Sequence, residues 1–269
     1  MLKRVLVICL VCITTVACTT PQNQNIDTAN VNNLENLNVG NAPRTPSDSI
    51  GNIRVEALKE TATSLGARGA LAWESQVVNK TLKENTYQLD QIFNFQALLL
   101  NHHVLPPVLE QSNQLFNLAN VDTVRIADKT YKILKQARFV TTAPNWRQYL
   151  MMNFKKPELP DKTLLPKNNA ERWVWIKYIQ KGWQQGLTQG KAIYQANLAR
   201  LKRDYNGMVL YRQLYSRHMI SKPTVASTPL GVTSNNADSQ IYINDKVMRI
   251  TSLPRLNPNS HDWRAVLTQ

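Results

Sequence analysis

Cysteine is nearly absent from this 269-residue chain, and its few cysteines stand close to the amino terminus. They are Cys9, Cys12 and Cys18. A chain cleaved before Cys18 keeps one cysteine, so no disulfide can form within it. A zinc site built on several thiolates is excluded for the same reason. Stability must then come from a hydrophobic core, and the remaining residues, about 250, are enough to build one.

Residues that carry recognisable chemistry are also scarce. The four histidines are His102, His103, His218 and His261. No His-x-x-x-His pair indicates a metal site, and the nine glycines form neither a Gly-x-Ser-x-Gly motif nor a phosphate-binding loop. Ser227, Asp204 and His218 could be drawn as a catalytic triad, but so could residues of almost any protein. We therefore expect no enzymatic activity, no catalytic residue, no cofactor and no metal.

Acidic residues are outnumbered, with 18 against 32 basic residues and a net charge of +14. The excess indicates an anionic partner, which could be lipid headgroups, an acidic protein surface or nucleic acid. The basic residues are spread along the chain without the interleaved aromatic residues of nucleic-acid modules, so we expect no direct nucleic-acid contact. A solvated basic surface is the simpler interpretation.

Long hydrophobic runs are missing as well. Lys3 and Arg4 precede an apolar run at 5–16, which is shorter than the roughly 20 residues that a membrane-spanning helix needs. A basic start, a short apolar segment and small residues before a cut are typical of a signal peptide, here 1–17. Ala17-Cys18 adds the features of lipoprotein processing, although Thr15 stands where leucine is usual. We predict cleavage between Ala17 and Cys18 and acylation of Cys18; ordinary cleavage or an uncleaved anchor are the alternatives.

The residues after Cys18 predict the membrane to which the protein is sorted and a flexible tether. Thr19 stands where an aspartate would favour the inner membrane, so we expect the outer membrane, with the protein facing the periplasm. Residues 18–49 are rich in asparagine and lack aromatic residues, which predicts a flexible tether. Leu34, Leu37 and Val39 could form a short segment that orders on a partner. A single folded domain is predicted over 50–269.

A helix of unusual length is predicted over 170–219. Its apolar residues recur at steps of three and four: Trp173, Ile176, Ile179, Trp183, Leu187, Tyr194, Leu198, Leu201, Tyr205, Met208 and Tyr215. This spacing places one apolar stripe on one side of a helix and leaves residues such as Lys177, Lys181 and Lys191 for solvent. Because the helix would be roughly 70 Å long at 1.5 Å per residue, we expect a break near Asn206-Gly207.

Shorter helices are predicted on both sides of this one. Two helical patterns, at 55–72 and 78–99, are expected to join near 66–69, where small residues would let them pack closely. The apolar run 92–100 could belong to a helix or to a buried strand. Asn145, or the proline before it, is a helix start. Ser260 has the character of an N-cap for a short final helix.

Two segments have the alternating pattern of strands. Residues 124–133 alternate around Asp128-Lys129, and residues 241–250 alternate around Asn244-Asp245, so each is predicted to be a β-hairpin. The segments resemble each other at six of ten positions, which indicates either equivalent hairpins or a coincidence of hairpin chemistry. We expect both hairpins to form one small sheet, and the fold class to be α+β with a mostly helical body.

Several phrases resemble a known family. They are DQIFNFQALLL at 90–100, HVLPPVL at 103–109, KQARFV at 135–140, PNWRQYL at 144–150 and NLARLKRDYNGM at 197–208. Together they resemble the DotC/TraI family of outer-membrane lipoproteins from type IVB (Dot/Icm) secretion systems and related conjugation machines. The resemblance covers most of the chain from residue 50 to residue 264.

The resemblance implies a structural role in the outer-membrane core complex of the secretion system. A protein of this kind would recruit and hold a DotH-like subunit at the outer membrane together with a DotD-like lipoprotein. It would work in a multi-copy ring assembly, attached to the membrane through its lipid anchor. The alternatives are an envelope lipoprotein that binds or modifies peptidoglycan and a pilus or adhesion lipoprotein.

Overall fold

The computed structural model describes residues 26–38, 51–120, 123–234, 237 and 239–264. The predicted signal peptide at 1–17, the cleavage site at Ala17 and Cys18, and the lipidation site at Cys18 lie outside the described residues. The predictions for those positions therefore remain predictions.

One helix, α5, runs through the whole body from Asn169 to Ser216. Asn168 caps it, because its side chain accepts a hydrogen bond from the backbone N–H of Glu171. The long helix is confirmed, but the break expected near Asn206-Gly207 is wrong. Gly207 is a packing residue: a Cβ there would stand 2.6 Å from the backbone oxygen of Leu109. The glycine therefore lets a strand approach the helix without interrupting it.

A second long helix, α2, runs from Asn52 to Glu84 and packs along α5. The two helices expected to join at 66–69 are one helix, so that prediction is wrong. The small residues do allow close packing, but against α5: a Cβ at Gly66 would meet the backbone oxygen of Ile179, and one at Gly182 would meet that of Thr63. Backbones this close exclude any side chain at these points.

The remaining helices are short. α4 at Trp146–Leu150 follows the predicted start, because its cap is Asn145, whereas α3 at Thr86–Ile92 lies inside the helical pattern predicted over 78–99. Residues 92–100 form the end of α3 and a 3₁₀ turn at Gln96–Leu98 rather than a buried strand. A last 3₁₀ turn at Ser260–Asp262 is capped by Asn259, so the predicted cap at Ser260 is one residue too late.

The described strands form three separate two-stranded antiparallel sheets. Their pairs are β1 (Val104–Leu105) with β4 (Arg138–Phe139), β2 (Val108–Asn120) with β3 (Thr123–Lys135), and β5 (Thr224–Ser234) with β6 (Ile241–Ser252). The α+β class is confirmed. The single small sheet is wrong, because Ile126 and Ile243 lie in sheets that do not share a strand.

The predicted hairpin turns are also wrong. Asp128-Lys129 lies inside β3, where Lys129 pairs with Asn113. Asn244-Asp245 lies inside β6, where Asn244 has a φ of 56° and the register shifts opposite Asp245. An asparagine that tolerates positive φ can mark a bulge as well as a turn. Each predicted hairpin is therefore the return strand of a larger hairpin.

The hydrophobic core lies between the helices and the bases of the hairpins. Its largest cluster surrounds Trp146, and it includes Phe95 and Leu201. Phe95 packs edge-on against Tyr205 and stacks with Tyr149. The strands enter the core at Val104 and Leu105, which form β1, and at Val108 and Leu109, the first residues of β2.

A short helix, α1, covers Val31–Glu35 and packs on α2 and α5. Leu34 is fully buried, and its backbone oxygen accepts a hydrogen bond of 2.9 Å from the indole of Trp175. The tether predicted over 18–49 is therefore wrong for 26–38, which belongs to the folded body. Leu34 and Leu37 order on their own chain rather than on a partner.

Candidate interaction surfaces

The most buried charge in the described part of the chain is Asp204, in the middle of α5, with 1% of its surface exposed. Lys135 from β3 donates a hydrogen bond to one of its carboxylate oxygens. Tyr149 from α4 donates to the same oxygen at 3.1 Å, and Arg203 donates to the other at 3.2 Å. This carboxylate therefore joins three elements.

The ionisation of this group follows from its neighbours. Burial alone would raise the pKa of Asp204, but the hydrogen bonds and charges of Lys135, Tyr149 and Arg203 hold its pKa below the ordinary value. Burial, followed by the charge of Asp204, raises the pKa of Tyr149 to about 12. Tyr149 therefore stays protonated and donates to an ionised carboxylate at neutral pH.

The triad that could be drawn from the sequence is not assembled. Asp204 has its hydrogen bonds to Lys135, Tyr149 and Arg203, and none joins it to His218 or Ser227 within the described residues. His218 lies fourteen positions after Asp204, just past the end of α5, which corresponds to about 20 Å along a helix. The network of Asp204 is an architectural one.

A cavity of about 510 Å³ lies near the carboxyl-terminal end of α5. It is lined partly by His102, Tyr211 and Arg212, and its lining contains no carboxylate or thiol. Across 26–38, 51–120 and the later described ranges, no three His, Cys, Asp or Glu side chains are grouped as metal ligands. No helix in the same ranges is both long and apolar enough to cross a bilayer.

Exposed apolar residues are instead concentrated on the hairpins. On the β2–β3 hairpin, Phe116 is 67% exposed and pairs with Ile126, which is also exposed. Val124 lies two residues before Ile126 in the same strand, so both side chains are on one face. We call these three residues the first apolar tip.

The β5–β6 hairpin repeats this arrangement. Ile243 is 76% exposed and pairs with the exposed Val232, while Ile241 lies two residues before Ile243. We call these three residues the second apolar tip. The similar segments 124–133 and 241–250 thus hold equivalent positions, because each is a return strand that carries two exposed β-branched residues.

Exposed apolar tips require a physical explanation. A two-stranded ribbon alone is marginally stable in water, and it gains stability when another surface covers its apolar face. Contiguous exposed apolar residues are typical of protein interaction sites. The two hairpins are therefore the best candidate docking surfaces in the described part of the chain.

Comparison with protein families identifies the chain. The family model described as type IV secretory system, conjugal DNA-protein transfer matches residues 52–265. The chain belongs to this TraI family. The match runs from the first turn of α2 to the end of the described chain, so both hairpins lie within the matched span. A search of curated proteins found no match.

Membership of the TraI family confirms the resemblance seen in the sequence and establishes a component of a type IV secretion system. Such a system is an assembly of many subunits, so other subunits are available to contact the apolar tips. Sequence reasoning missed the tips. The signal is present in the alternating apolar residues of 124–126 and 241–243, but the pattern was interpreted as one small sheet formed by both hairpins.

Proposed function

We propose that this TraI-family protein is a structural lipoprotein of the outer-membrane core complex of a type IVB secretion system. It recruits a DotH-like subunit and holds it at the outer membrane together with a DotD-like lipoprotein. The resemblance of the long phrases in the sequence supports these partners, and the family match supports the secretion system. The two apolar tips supply surfaces for subunit contact. In this proposal the protein recruits its partner by binding alone and catalyses no reaction.

The proposed mechanism is local concentration. An acyl chain on Cys18 confines the protein to the periplasmic face of the outer membrane, and binding confines the partner subunit with it. Because 26–38 packs on the body, the linker between Cys18 and the packed segment is eight residue steps long, which is shorter than the tether predicted over 18–49. Such a linker spans at most about 28 Å. The body therefore stays close to the membrane, which suits a multi-copy ring.

Membrane fractionation tests this proposal. In cells that carry Cys18→Ser, the folded body should persist while the DotH-like subunit leaves the outer-membrane fraction and secretion fails. Metabolic labelling with a fatty-acid analogue should tag the wild type and not the variant. If the DotH-like subunit reaches the outer membrane equally well without this protein, the recruitment mechanism is wrong.

A further inference from the structure

The outer face of α5 has an unusual charge pattern. From residue 172 to residue 203 the helix contains no acidic residue, and it contains seven basic ones. They are Arg172, Lys177, Lys181, Lys191, Arg200, Lys202 and Arg203. Among these, within the described chain, Arg203 alone forms an ion pair with a carboxylate. The positive charge of this helix is therefore largely uncompensated.

Three of these basic residues share one side of the helix with Trp173. At about 100° per residue, Trp173, Lys177, Lys191 and Lys202 fall within about 40° of each other around the helix axis. All four are exposed. The glycines at 182 and 186 lie on the opposite side, against α2. We call this stripe, which is about 43 Å long at 1.5 Å per residue, the basic face.

An exposed tryptophan stands at one end of the basic face. Trp173 belongs to the apolar stripe predicted for this helix, yet it is 78% exposed, because α2 packs on the other side of α5. Trp173 and Ile176 border a depression of about 700 Å³ whose other lining residues include Arg172 and Lys177. An indole beside unpaired cations is typical of the interfacial zone of a membrane.

The chain leading to the proposed lipid anchor is attached beside this face. Arg172 donates a hydrogen bond of 3.1 Å to the side chain of Asn36, and Gln180 donates one of 3.0 Å to Glu35. Both contacts hold the segment 26–38, which begins eight residues after Cys18. Eight residue steps span at most about 28 Å. A lipid on Cys18 would therefore keep Ile26 within about 28 Å of the membrane, and the segment 26–38 connects Ile26 to the basic face.

We propose that the basic face of α5 is a contact surface for anionic phospholipid, with Trp173 inserted among the headgroups. The helix lies along the membrane rather than across it, and its lysines meet the negative surface. This assignment rests on the proposed function for the nearness of the membrane, whereas the affinity for lipid is a property of the face itself.

Vesicle sedimentation with the acyl-free chain 18–269 carrying Cys18→Ser tests the assignment. The protein should sediment with vesicles of phosphatidylethanolamine and phosphatidylglycerol, should bind phosphatidylcholine vesicles weakly, and should be released by added salt. The double variant Lys177→Glu, Lys191→Glu should lower the partition coefficient about tenfold or more. The matched control, Lys80→Glu with Lys83→Glu on α2, changes net charge equally and should stay within about twofold of the wild type.

A second measurement examines the tryptophan. Lipids brominated near the headgroup should quench the fluorescence of the parent chain more than that of Trp173→Phe. Both sets of lysine variants should retain the circular dichroism of the parent chain, because all four lysines are exposed.

Three results would overturn the assignment: no binding to anionic vesicles, equal losses in the two double variants, or binding of a secretion subunit that depends on Lys177 and Lys191 when vesicle binding does not. The last result would assign the face to an acidic protein. Because the chain used here has no acyl group, vesicle binding can succeed while recruitment of the DotH-like subunit fails, and the reverse. The two proposals are therefore separable.

Discussion

At the scale of single residues, Asp204 has the largest concentration of interactions. Its carboxylate is removed from water and receives hydrogen bonds from β3, α4 and its own helix. Removing one partner of a buried charged group is costly, because the groups that remain lose their compensation. Lys135 is half exposed and can be solvated when its partner is removed. The loss of stability therefore comes mostly from the groups that stay buried.

Asp204→Asn should lower the free energy of unfolding by about 2–4 kcal/mol at pH 7. The pKa of Asp204 is lowered in the folded protein, so its contribution is present above the ordinary value of 3.8 and is lost as the pH falls through the folded pKa. The difference between wild type and variant should therefore shrink below about pH 4. Urea titrations at several pH values measure this difference in the free energy of unfolding.

The control for this variant is Asp128→Asn, which changes an exposed aspartate in β3. It should change the free energy of unfolding by no more than about 0.5 kcal/mol. Equal effects at Asp128 and Asp204, or a difference that grows toward low pH, would contradict the role assigned to the buried carboxylate.

At the scale of elements, glycines decide how α2 and α5 pack. Gly66 and Gly182 bring each helix against the backbone of the other, where no side chain can move aside. In an exposed helix, replacing glycine by alanine stabilises by up to about 1 kcal/mol. At a backbone contact the steric cost exceeds this gain.

Gly182→Ala should therefore destabilise the protein by about 1–3 kcal/mol in spite of the better helix propensity. The control is Gly51→Ala, because a Cβ at Gly51 meets nothing within 4 Å. Thermal unfolding followed by circular dichroism compares the two. Stabilisation by Gly182→Ala would show that the helices can separate without loss.

The docking of α1 is a second property of elements. Leu34 is buried between α2 and α5, and a Cβ at Gly69 would stand 2.8 Å from its side chain. The segment 26–38 is held by the buried Leu34 and Leu37, by the Trp175 hydrogen bond and by polar contacts such as that of the Thr28 hydroxyl with the backbone oxygen of Pro157.

Leu34→Ala should weaken the docking of 26–38 by about 2–5 kcal/mol, the usual cost of truncating a buried leucine. Hydrogen exchange at the amides of Leu34 and Asn36 should be slow in the wild type and fast in the variant. Leu230→Ala, which truncates an exposed leucine in β5, should leave that exchange unchanged. Fast exchange in the wild type would restore the predicted tether.

At the scale of the whole molecule, a body with a buried core extends two ribbons that carry exposed apolar residues. The helices and the bases of the strands bury the core, while both tips remain in solvent. A protein that acts by holding other subunits needs such surfaces, and because the tip residues are exposed, we expect its stability to depend on them little.

Phe116→Ser combined with Ile126→Ser should leave the melting temperature within a few degrees of the wild type and should reduce co-purification of the secretion subunits about tenfold or more. The same result is expected for Val232→Ser combined with Ile243→Ser. The control is Tyr87→Ser, which removes an aromatic residue that is 76% exposed on α3. Undiminished co-purification with both tips altered would remove the hairpins from the docking surface.

The sequence by itself determined the long helix α5, the start of α4, the family and the class of the fold. The period of three and four residues over 170–219 predicts α5 because a helix presents such residues on one side. The start of α4 at Asn145 follows from side-chain capping, which is also local. The phrases at 90–100 and 197–208 identify the family without any knowledge of the fold.

The tertiary structure alone decided which surfaces meet. Gly207 has the appearance of a helix break, but the strand that approaches it from 98 residues earlier makes it a contact. Alternation at 124–126 and 241–243 is the same for a buried sheet and for an isolated ribbon, because period two records which residues share a face and not what covers that face. The exposure of Trp173 is likewise hidden from the sequence, because helical spacing records which residues share a side and not what covers that side. The place of Trp173 in the stripe is local, whereas the side on which α2 packs is decided by glycines elsewhere in the chain.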